Sequence, residues 1–326
     1  MTKGLAILFA LLLLGCRATP TLRVAVPRNF SGFLPCLADK KSGLGFHSSE
    51  ISIDWVRDTA SALEQLKSSK AELAVVGVPN LIPALKERPD FRIVTEVLNS
   101  TRSMVMVVRT SSKISTPRQL LGKKIGLVEG PPSEIFLEYF LLTEGINLGG
   151  VKKSVHSLDE MIKDFLASRI DAMVIWEPDL SRVKKENPTL SLHEFQSLVH
   201  ESKSVLVGSK ANLAKHQAQV DRLLASWIRA ENWYAQNAAK AQSYLAECLK
   251  LDESSMENIQ PALLGSRSEL KMTNSLRQIF DRSREWAILR QGFKEQDLPT
   301  FSMVVDTSFL SRTRRRSITI GVGPDR

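Results

Sequence analysis

The residues best suited to chemistry in this chain stand where a short apolar run meets a proline-rich turn. Residues 124–128 read as a buried strand, and Glu129-Gly130-Pro131-Pro132 follows as a tight turn. Ser133 then opens a segment, 135–142, with apolar residues at helical spacing. Serine caps helix starts well, and proline is tolerated in the first helical turn. We predict a strand, a loop and a helix start whose N–H groups and dipole favour an anionic or carbonyl group of a ligand.

Motifs of the common catalytic and metal sites do not occur in this sequence. It contains no His-Glu-x-x-His or paired-cysteine spacing, no Gly-x-Ser-x-Gly elbow and no glycine-rich phosphate loop that opens a helix. The histidines are scattered, at His47, His156, His193, His200 and His216. These absences favour binding without turnover, so we predict a protein that is not an enzyme and carries no cofactor and no metal.

Apolar runs alternate with helical segments along the first two thirds of the chain, a pattern typical of an α/β fold. The predicted strands are 22–26, 51–55, 72–77, 91–97, 104–108, 124–128, 151–156, 170–176 and 203–208. Beyond them the pattern changes to long helical segments at 213–234, 238–248, 254–264 and 268–289, followed by a docking tail at 301–310.

Three features indicate two lobes of like topology. A chain of 326 residues is long for one hydrophobic core. Residues 66–76 align without gaps with residues 165–175, and the alignment pairs a helix end, a serine-basic turn, an acidic residue and a buried strand. The nearly consecutive strands at 91–97 and 104–108 also break the alternation of strands and helices.

The N-terminus has the features of an export signal. One early lysine precedes an apolar run over residues 5–14, which is too short to span a bilayer as a mature helix. The order Leu13-Leu14-Gly15-Cys16 resembles the lipobox of bacterial lipoproteins, in which the signal is removed before the cysteine and that cysteine is lipidated. Residues 1–15 would then be a signal peptide, with Cys16 the lipidated residue of a tether over 16–20. The alternative is an ordinary secretory signal with a chance cysteine.

Export would place the folded part in an oxidising space, where Cys36 and Cys248 could form a disulfide. Two buried free thiols are the alternative. The net charge of +9 could suggest nucleic acid. No nucleic-acid motif or aromatic-basic platform accompanies it, so we expect no nucleic-acid partner and attribute the charge to a surface near anionic lipid or to a preference for anionic ligands.

Five segments together resemble one family of proteins. They are the lipobox, the first strand (LRVAV), the strand that begins at Glu72, residues 116–126 (TPRQLLGKKIG) and residues 171–178 (DAMVIWEP). This combination is similar to the solute-binding lipoproteins of ABC importers, within the group that serves sulfonates, nitrate and thiamine precursors. The resemblance implies a two-lobed periplasmic-binding-protein-like fold of type II. Lobe 1 would hold 21–104 and 209–326, lobe 2 would hold 105–208, and the strands 104–108 and 203–208 would form the hinge pair.

The same resemblance implies a ligand cleft lined by loops at the carboxyl ends of strands. The loop after the first strand is Arg28-Asn29-Phe30, and the residues expected to contact the ligand are Asn29, Phe30, Thr59, Ser61, Gly77, Arg102, Pro132, Ser133, Trp176 and Glu177. Each has a structural alternative: Ser133 could be a plain cap, Trp176 a core aromatic, Glu177 a helix-start residue and Arg102 a solvated charge. Because the first loop offers few hydrogen-bonding groups, an organic ligand is favoured over a small inorganic anion.

The implied function is a monomeric, lipid-anchored receptor outside the cytoplasm of a bacterium. It would close on a small organic molecule and deliver it to an ABC permease and ATPase. Two rivals stay open: an enzyme on the same fold, for which only Glu177 or Glu134 is placed to react, and a sensor subunit that reports occupancy to a partner receptor.

Overall fold

Two β-sheets with helices packed on both faces form the framework of the protein. The computed structural model describes residues 21–321 except 41–42, 46–49, 198, 252–255, 258, 260–262 and 264–265. The predicted signal peptide, Cys16 and the tether lie outside these residues, as does much of the helix predicted at 254–264.

The first sheet has the strand order β11-β4-β10-β3-β1-β2, and the second has the order β7-β6-β8-β5-β9. In the first sheet β1 is parallel to β2 and β3, and in the second β6 is parallel to β7 and β8. The strands are β1 Leu22–Pro27, β2 Ile51–Val56, β3 Leu73–Gly77, β4 Phe91–Ser100, β5 Met104–Arg109, β6 Lys124–Val128, β7 Lys152–His156, β8 Ala172–Trp176, β9 Leu192–Phe195, β10 Ser202–Ser209 and β11 Ser266–Arg267.

Helices α4, α5 and α6 pack on the second sheet, and the others pack on or beside the first. They are α1 Phe33–Lys40, α2 Thr59–Lys67, α3 Val78–Glu87, α4 Pro131–Thr143, α5 Leu158–Leu166, α6 Asp179–Glu186, α7 Lys210–Lys215, α8 Gln217–Leu249, α9 Asn274–Gln291, α10 Phe301–Val304 and α11 Ser308–Thr313. The helices predicted at 213–234 and 238–248 are joined in α8, where Asn237 alone has non-helical angles. We call each sheet with its packed helices the first and second half.

Side chains of the second sheet alternate between two apolar layers, as the period of a strand requires. Along β5, Met104, Met106 and Val108 belong to the layer beneath α4, while Val105 and Val107 belong to the layer beneath α5 and α6. Burial on both faces explains why the strand reads as a continuous apolar run in the sequence.

The chain passes between the halves twice, from β4 to β5 across residues 101–103 and from β9 to β10 across residues 196–201. The family resemblance implies that residues 203–208 belong to the second lobe and form a hinge pair with 104–108. The structure instead places β10 in the first sheet, where it is antiparallel to both β3 and β4, and β5 in the second sheet. Strand partners decide this, and they are not visible in a hydrophobic pattern.

A buried ion pair fixes the beginning of β10. The Lys203 Nζ atom lies 3.2 Å from Glu96 Oε2 on β4, and neither side chain is exposed. The ammonium group of Lys271 adds a longer contact of 3.9 Å to Glu96. Burial raises the pKa of Glu96, and the two lysines oppose that rise. Removing one partner of such a pair leaves an uncompensated buried charge, which typically costs about 3–5 kcal/mol.

The two segments aligned in the sequence have the same local structure. Ser69 and Ser168 both adopt left-handed backbone angles, with φ of 58° and 60°. Each serine N–H donates to the carbonyl three residues earlier, Leu66 and Phe165, at 3.2 and 3.1 Å. Each turn leads into an interior strand of its sheet, β3 in the first and β8 in the second.

A disulfide between Cys36 and Cys248 ties α1 to the last turn of α8, with the Cα atoms 6.0 Å apart. It encloses a sequence separation of 212 residues. Among the helices of the described part, none has the length and apolar character needed to cross a membrane.

Candidate functional site

The carboxyl ends of strands from both sheets meet between the halves, and we call this region the interlobe site. It receives the loops after β1, β2 and β3 from the first sheet and the loops after β6 and β8 from the second. Such crevices at strand ends are the usual binding places of open α/β sheets. Two contacts bring the halves together there: Gly130 at the start of α4 approaches Asn80 of α3, and Arg182 of α6 reaches Leu249 at the end of α8.

The start of α4 differs from the predicted cap. The helix begins at Pro131, its N-cap is Gly130 with φ of 113°, and Ser133 is the third helical residue. The Ser133 hydroxyl donates to the carbonyl of Val128, and the residue is 1% exposed. The hydroxyl therefore holds the loop in place instead of pointing outward. Because Pro131 and Pro132 have no N–H, only two of the first four backbone N–H positions of this helix, those of Gly130 and Ser133, carry a donor.

A polar pair faces α4 from the first half. The Asn80 side chain donates to Thr59 Oγ1 at 3.1 Å, and a Cβ on Gly130 would lie 3.9 Å from Asn80 Oδ1. Gly77 lies beneath this pair, since a Cβ there would stand 3.3 Å from Thr59 Oγ1. The missing side chain at Gly77 therefore leaves room for the hydroxyl and the amide at the interlobe site.

Ser61, in contrast, is occupied by the cap of its own helix. Asp58 is the N-cap of α2 and accepts both the Ser61 N–H and the Ser61 hydroxyl at 2.8 Å. Burial alone would raise the pKa of Asp58, but hydrogen bonds from Ser61 and Arg57 outweigh it and lower that pKa. The Ser61 hydroxyl donates within this cap, and its predicted ligand contact stays a prediction.

Glu177 caps the following helix from a buried position. It is 7% exposed, and its Oε2 atom accepts the backbone N–H of Ser181 at 3.0 Å. Its own N–H donates to the carbonyl of Ser103 in the first crossing between the halves, at 2.9 Å. Burial raises the pKa of Glu177, and the hydrogen bonds from Ser181 oppose that rise. The structural alternative for this residue, a helix-start role, is the one this geometry favours.

Trp176 is half-buried and belongs to a chain of polar contacts that ends on the first half. Its side chain hydrogen-bonds Asp179, which also accepts from Arg182 Nη1 at 2.8 Å. Arg182 Nη2 donates across the interlobe site to the Leu249 carbonyl at 2.9 Å. Burial raises the pKa of Asp179, and the carboxylate of Asp58 on the first half adds to that rise.

A second arginine reaches the same helix end from the first half. Arg28 Nη1 donates to the Cys248 carbonyl at 3.0 Å, and its guanidinium lies 5.4 Å from the centre of the Trp55 ring. The last carbonyls of a helix carry partial negative charge, which favours cations there. Consecutive carbonyls of α8 thus bind one arginine from each half.

The remaining predicted residues lie at the margins of the interlobe site. Asn29 accepts the Ser31 N–H at 2.9 Å and caps a short turn. Phe30 is 2% exposed and belongs to the first core, so its side chain is not available to a ligand, in contrast to the prediction. Arg102 is exposed in the first crossing, where its N–H donates to Ser100 Oγ.

Two cavities border the contact between the halves. One of about 350 Å³ lies beside α2 and α3 and includes Asn80, Pro131 and Phe293 in its lining. The other, of about 450 Å³, lies between α4 and α9 and is crossed by the ion pair of Glu138 with Arg290. Neither of these two is lined by Trp176 or Arg28.

Sequence reasoning left Asn80, Asp179 and Arg182 out of the site and named Arg28 only as part of its loop. The sequence could have indicated two of these residues as site candidates, because Arg28 directly follows the first strand and Asn80 lies in the first turn of α3. Arg182 has no such signal, since its partner Leu249 is 67 residues away in the sequence.

The chemistry offered by this region is recognition by hydrogen bonds, aromatic faces and paired charges. In the described part of the chain, no group of three or more His, Cys, Asp or Glu side chains could hold a metal ion. The two halves supply different groups: hydroxyl, amide and guanidinium from the first, and indole, carboxylate and guanidinium from the second.

Comparison with known proteins decides the family. The family model described as NMT1/THI5 like matches residues 34–241, which is more than half of the chain. The matched residues include strands β2 to β10. The chain belongs to the NMT1/THI5-like family. The resemblance predicted from the sequence is thereby confirmed at the level of the family.

Curated relatives of this family member are named only as candidate binding proteins. Those from Brucella abortus and Brucella suis are 26% identical over 141 residues, which is 42% of this chain and 44% of each relative. The chain therefore matches less than half of the length of these relatives.

Solved structures resemble this family member along most of its length. The periplasmic aliphatic sulphonate-binding protein SsuA of Escherichia coli has a TM-score of 0.73 at 17% identity, covering 89% of this chain and 98% of that one. The alkanesulfonate-binding SsuA of Xanthomonas axonopodis pv. citri has a TM-score of 0.69 at 18% identity, covering 88% and 98%. The desulfurization enzyme DszB has a TM-score of 0.64 at 13% identity, covering 91% and 99%.

At these identities the likeness shows the fold. The predicted α/β fold of the periplasmic-binding-protein type II is confirmed. Both binding proteins and an enzyme share it, so function must be argued from the interlobe site.

Proposed function

We propose that this chain is the extracytoplasmic solute-binding component of an ABC importer, which captures a small organic ligand at the interlobe site. Family membership and the fold shared with sulphonate-binding proteins support this proposal. The observation that carries it is the meeting of strand ends from two separate sheets at one region, with Arg182 of one half bonded to Leu249 of the other.

The proposed mechanism is closure of the halves about the two crossings at residues 101–103 and 196–201. These crossings are the lobe boundaries that we propose from the sheet assignments. The bond from Arg182 to Leu249 can form only when the halves approach, and a ligand that touches both halves stabilises that state. Capture and closure are then one equilibrium.

The ligand contacts that we propose come from both halves. From the first half they are Thr59 and Asn80, with Gly77 providing space, and from the second they are Trp176, Pro132 and the N–H of Ser133. Aromatic and apolar surface beside a few fixed polar groups is typical of sites for small organic molecules. Arg102 stands exposed at the margin, where it would meet an incoming anionic group first.

We further propose that residues 1–15 are removed and Cys16 is lipidated, so that a monomer stays at the membrane beside its permease and ATPase. Metabolic labelling with a radioactive fatty acid tests this step. Label in the wild type and none in Cys16→Ser supports lipidation, and equal labelling of both contradicts it.

A thermal-shift screen of the chain lacking residues 1–16 tests ligand capture, with sulfonates, pyrimidines, flavins and small anions as probes. A ligand at a hundred times its Kd should stabilise the protein by about 2.7 kcal/mol. Trp176→Ala should abolish the shift caused by the best probe. Trp233→Ala, which removes a half-buried aromatic from α8, should lower the melting temperature and keep that shift. A panel without any shift, or a shift that survives in Trp176→Ala, contradicts the proposal.

An enzyme is the second candidate, because DszB shares the fold and burial raises the pKa of Glu177. The geometry favours binding instead, since the Glu177 carboxylate accepts the Ser181 N–H and Glu134 forms an ion pair with Lys153 at 2.6 Å. Mass spectrometry of the best probe after prolonged incubation separates these readings, because recovery of a changed molecule would establish turnover. For a sensor, the neighbouring genes would encode a kinase in place of a permease and ATPase.

A further inference from the structure

The end of the second sheet that faces away from the interlobe site carries an uneven charge. Residues 110–124 include Lys113, Arg118, Lys123 and Lys124 but no aspartate or glutamate. Residues 145–153 add Lys152 and Lys153, again without an acidic residue. We call the five residues Lys113, Arg118, Lys123, Lys124 and Lys152 the basic end.

The fold brings these two segments side by side. Strands β6 and β7 both begin here, and Lys124 pairs with Lys152 in register. The Lys152 N–H donates to the Lys123 carbonyl at 2.8 Å, and the Gly122 N–H donates to the Gly150 carbonyl at 2.6 Å. Lys123 is half-buried, and the other four residues of the basic end are exposed.

Two carboxylates lie near Lys124. Asp171 accepts the backbone N–H of Lys124 at 2.8 Å. Asp164 forms an ion pair with Arg169, which lowers the pKa of Asp164, and the charge of Lys124 adds to that lowering. Lys153 is paired with Glu134 and is therefore not counted in the basic end. Within the described residues, no member of the basic end forms an ion pair with a carboxylate. The five cations of the basic end therefore outnumber the two carboxylates beside it, and the surface keeps a positive excess.

An exposed leucine stands among these cations. Leu121 is 54% exposed, whereas its neighbour Leu120 is fully buried in the second core. Leu121 rests against Gly150, where a Cβ would come within 2.7 Å of the leucine side chain. Leucine on a lysine-rich surface can insert at the boundary between headgroups and acyl chains while the lysines meet anionic headgroups.

We propose that the basic end binds the surface of an anionic lipid bilayer. Neither segment contains an aromatic residue for stacking on bases, which disfavours nucleic acid. Lysine is depleted in the cores of protein interfaces, which disfavours a protein partner. Lysines also protect edge strands from pairing, and that role explains Lys152 on β7 but not the four basic residues of 110–124.

This contact is separate from ligand capture. A basic patch adds electrostatic attraction to an anionic bilayer beside any lipid anchor. The basic end would therefore complement the lipid predicted at Cys16, and it would orient the second half at the bilayer.

Vesicle sedimentation tests this inference, using the chain without residues 1–16, which keeps every described element. The probes are vesicles of phosphatidylglycerol and phosphatidylcholine in equal parts, and of phosphatidylcholine alone. The wild type should bind the anionic vesicles, and rising salt should weaken that binding. The triple variant Lys123→Gln, Lys124→Gln and Lys152→Gln should bind them more weakly by a factor on the order of 100. Thermal unfolding checks that the variant is folded.

The matched control changes three exposed lysines at the corresponding end of the first sheet, where β3 begins and β10 ends. The variant Lys70→Gln, Lys210→Gln and Lys215→Gln has the same net charge as the test variant and should keep most of the binding. Equal losses in both variants would assign binding to net charge alone and overturn the proposal. Absence of binding to anionic vesicles, or tighter binding to single-stranded RNA, would overturn it as well.

Discussion

The two halves share the turn that begins a strand at their outer ends, but they differ in what surrounds it. In the first half Glu72 Oε2 accepts the Arg23 N–H at 2.8 Å, and in the second Asp171 Oδ2 accepts the Lys124 N–H at 2.8 Å. The acids also donate their own N–H to the carbonyls of the same two residues. The pattern of backbone hydrogen bonds at this turn is therefore the same in both halves.

The side chains of the basic residues separate the two turns. Arg23 folds back onto Glu72, with Nη2 at 2.7 Å from Oε1 and Nε at 3.1 Å from Oε2. Lys124 is exposed and belongs to the basic end. The basic side chain is thus paired with the acid of its own turn in the first half, whereas Lys124 forms no ion pair with Asp171 in the second.

The other ends of the aligned strands differ even more. Continuing the alignment pairs Gly77-Val78-Pro79 after β3 with Trp176-Glu177-Pro178 after β8. The first half provides space there, and the second provides an indole and a carboxyl group. Turn geometry is kept at the outer ends because it forms the fold, while residue types change at the interlobe site, where we propose that the ligand binds.

The largest expected effect comes from removing the disulfide, which joins two helices of the first half. The second half has no counterpart, because residues 105–208 contain no cysteine. The double variant Cys36→Ser and Cys248→Ser should lose roughly 3–5 kcal/mol of unfolding free energy, since the bond closes a very long loop. Denaturant unfolding measures this loss. The loss should be confined to the first half, so a second transition from the second half should appear or sharpen. An unchanged midpoint contradicts the prediction.

Removing Glu72 or Asp171 tests whether the side-chain ion pair of the first turn adds stability that the second turn lacks. Glu72→Ala should cost about 2 kcal/mol, because it removes a charged acceptor from a backbone N–H and from the Arg23 side chain. Asp171→Ala should cost about 1 kcal/mol, because only the backbone bond is lost. Chemical denaturation of both variants measures the costs. Equal costs would mean that the partly exposed Arg23 contributes nothing.

Ser69 and Ser168, which have left-handed backbone angles, test whether the two turns are equivalent. Ser69→Val and Ser168→Val should each destabilise the protein by roughly 1–2 kcal/mol, because a β-branched residue is strained at positive φ. The matching glycine variants should be neutral or stabilising and serve as controls. If one valine variant were tolerated and the other were not, the two turns would not be equivalent.

The smallest expected effect is the pH dependence of the stability that Glu72 contributes to the first half. Burial alone would raise the pKa of Glu72, but the hydrogen bonds from Arg23 outweigh it and lower that pKa below 4.5. An acid with a lowered pKa in the folded state contributes stability above its unfolded pKa and loses it as the pH falls through the folded value. The stability difference between the wild type and Glu72→Gln should therefore be full at pH 7 and shrink below about pH 4.5. A difference that grows on acidification would contradict this sign.

The order of elements and the repeated turn could be predicted from the sequence, because both depend on hydrophobic period and on local backbone chemistry. The partners of β10 could not, since an apolar run fits either sheet. Strand β9 was not expected, because Leu192–Phe195 has only four residues and two of them are polar. The side chains of Phe30 and Ser133 follow turn geometry that residue type alone does not determine. The contact of Arg182 with Leu249 depends on how the halves pack.

Under the proposed function, the buried ion pair of Lys203 with Glu96 bears on how the bound ligand is released. Strand β10 is held on both sides and anchored at its start, so we expect the first half to stay unchanged while the second rotates about residues 101–103 and 196–201. Release of the ligand would then be a rotation of the second half about these two crossings, with the first half unchanged.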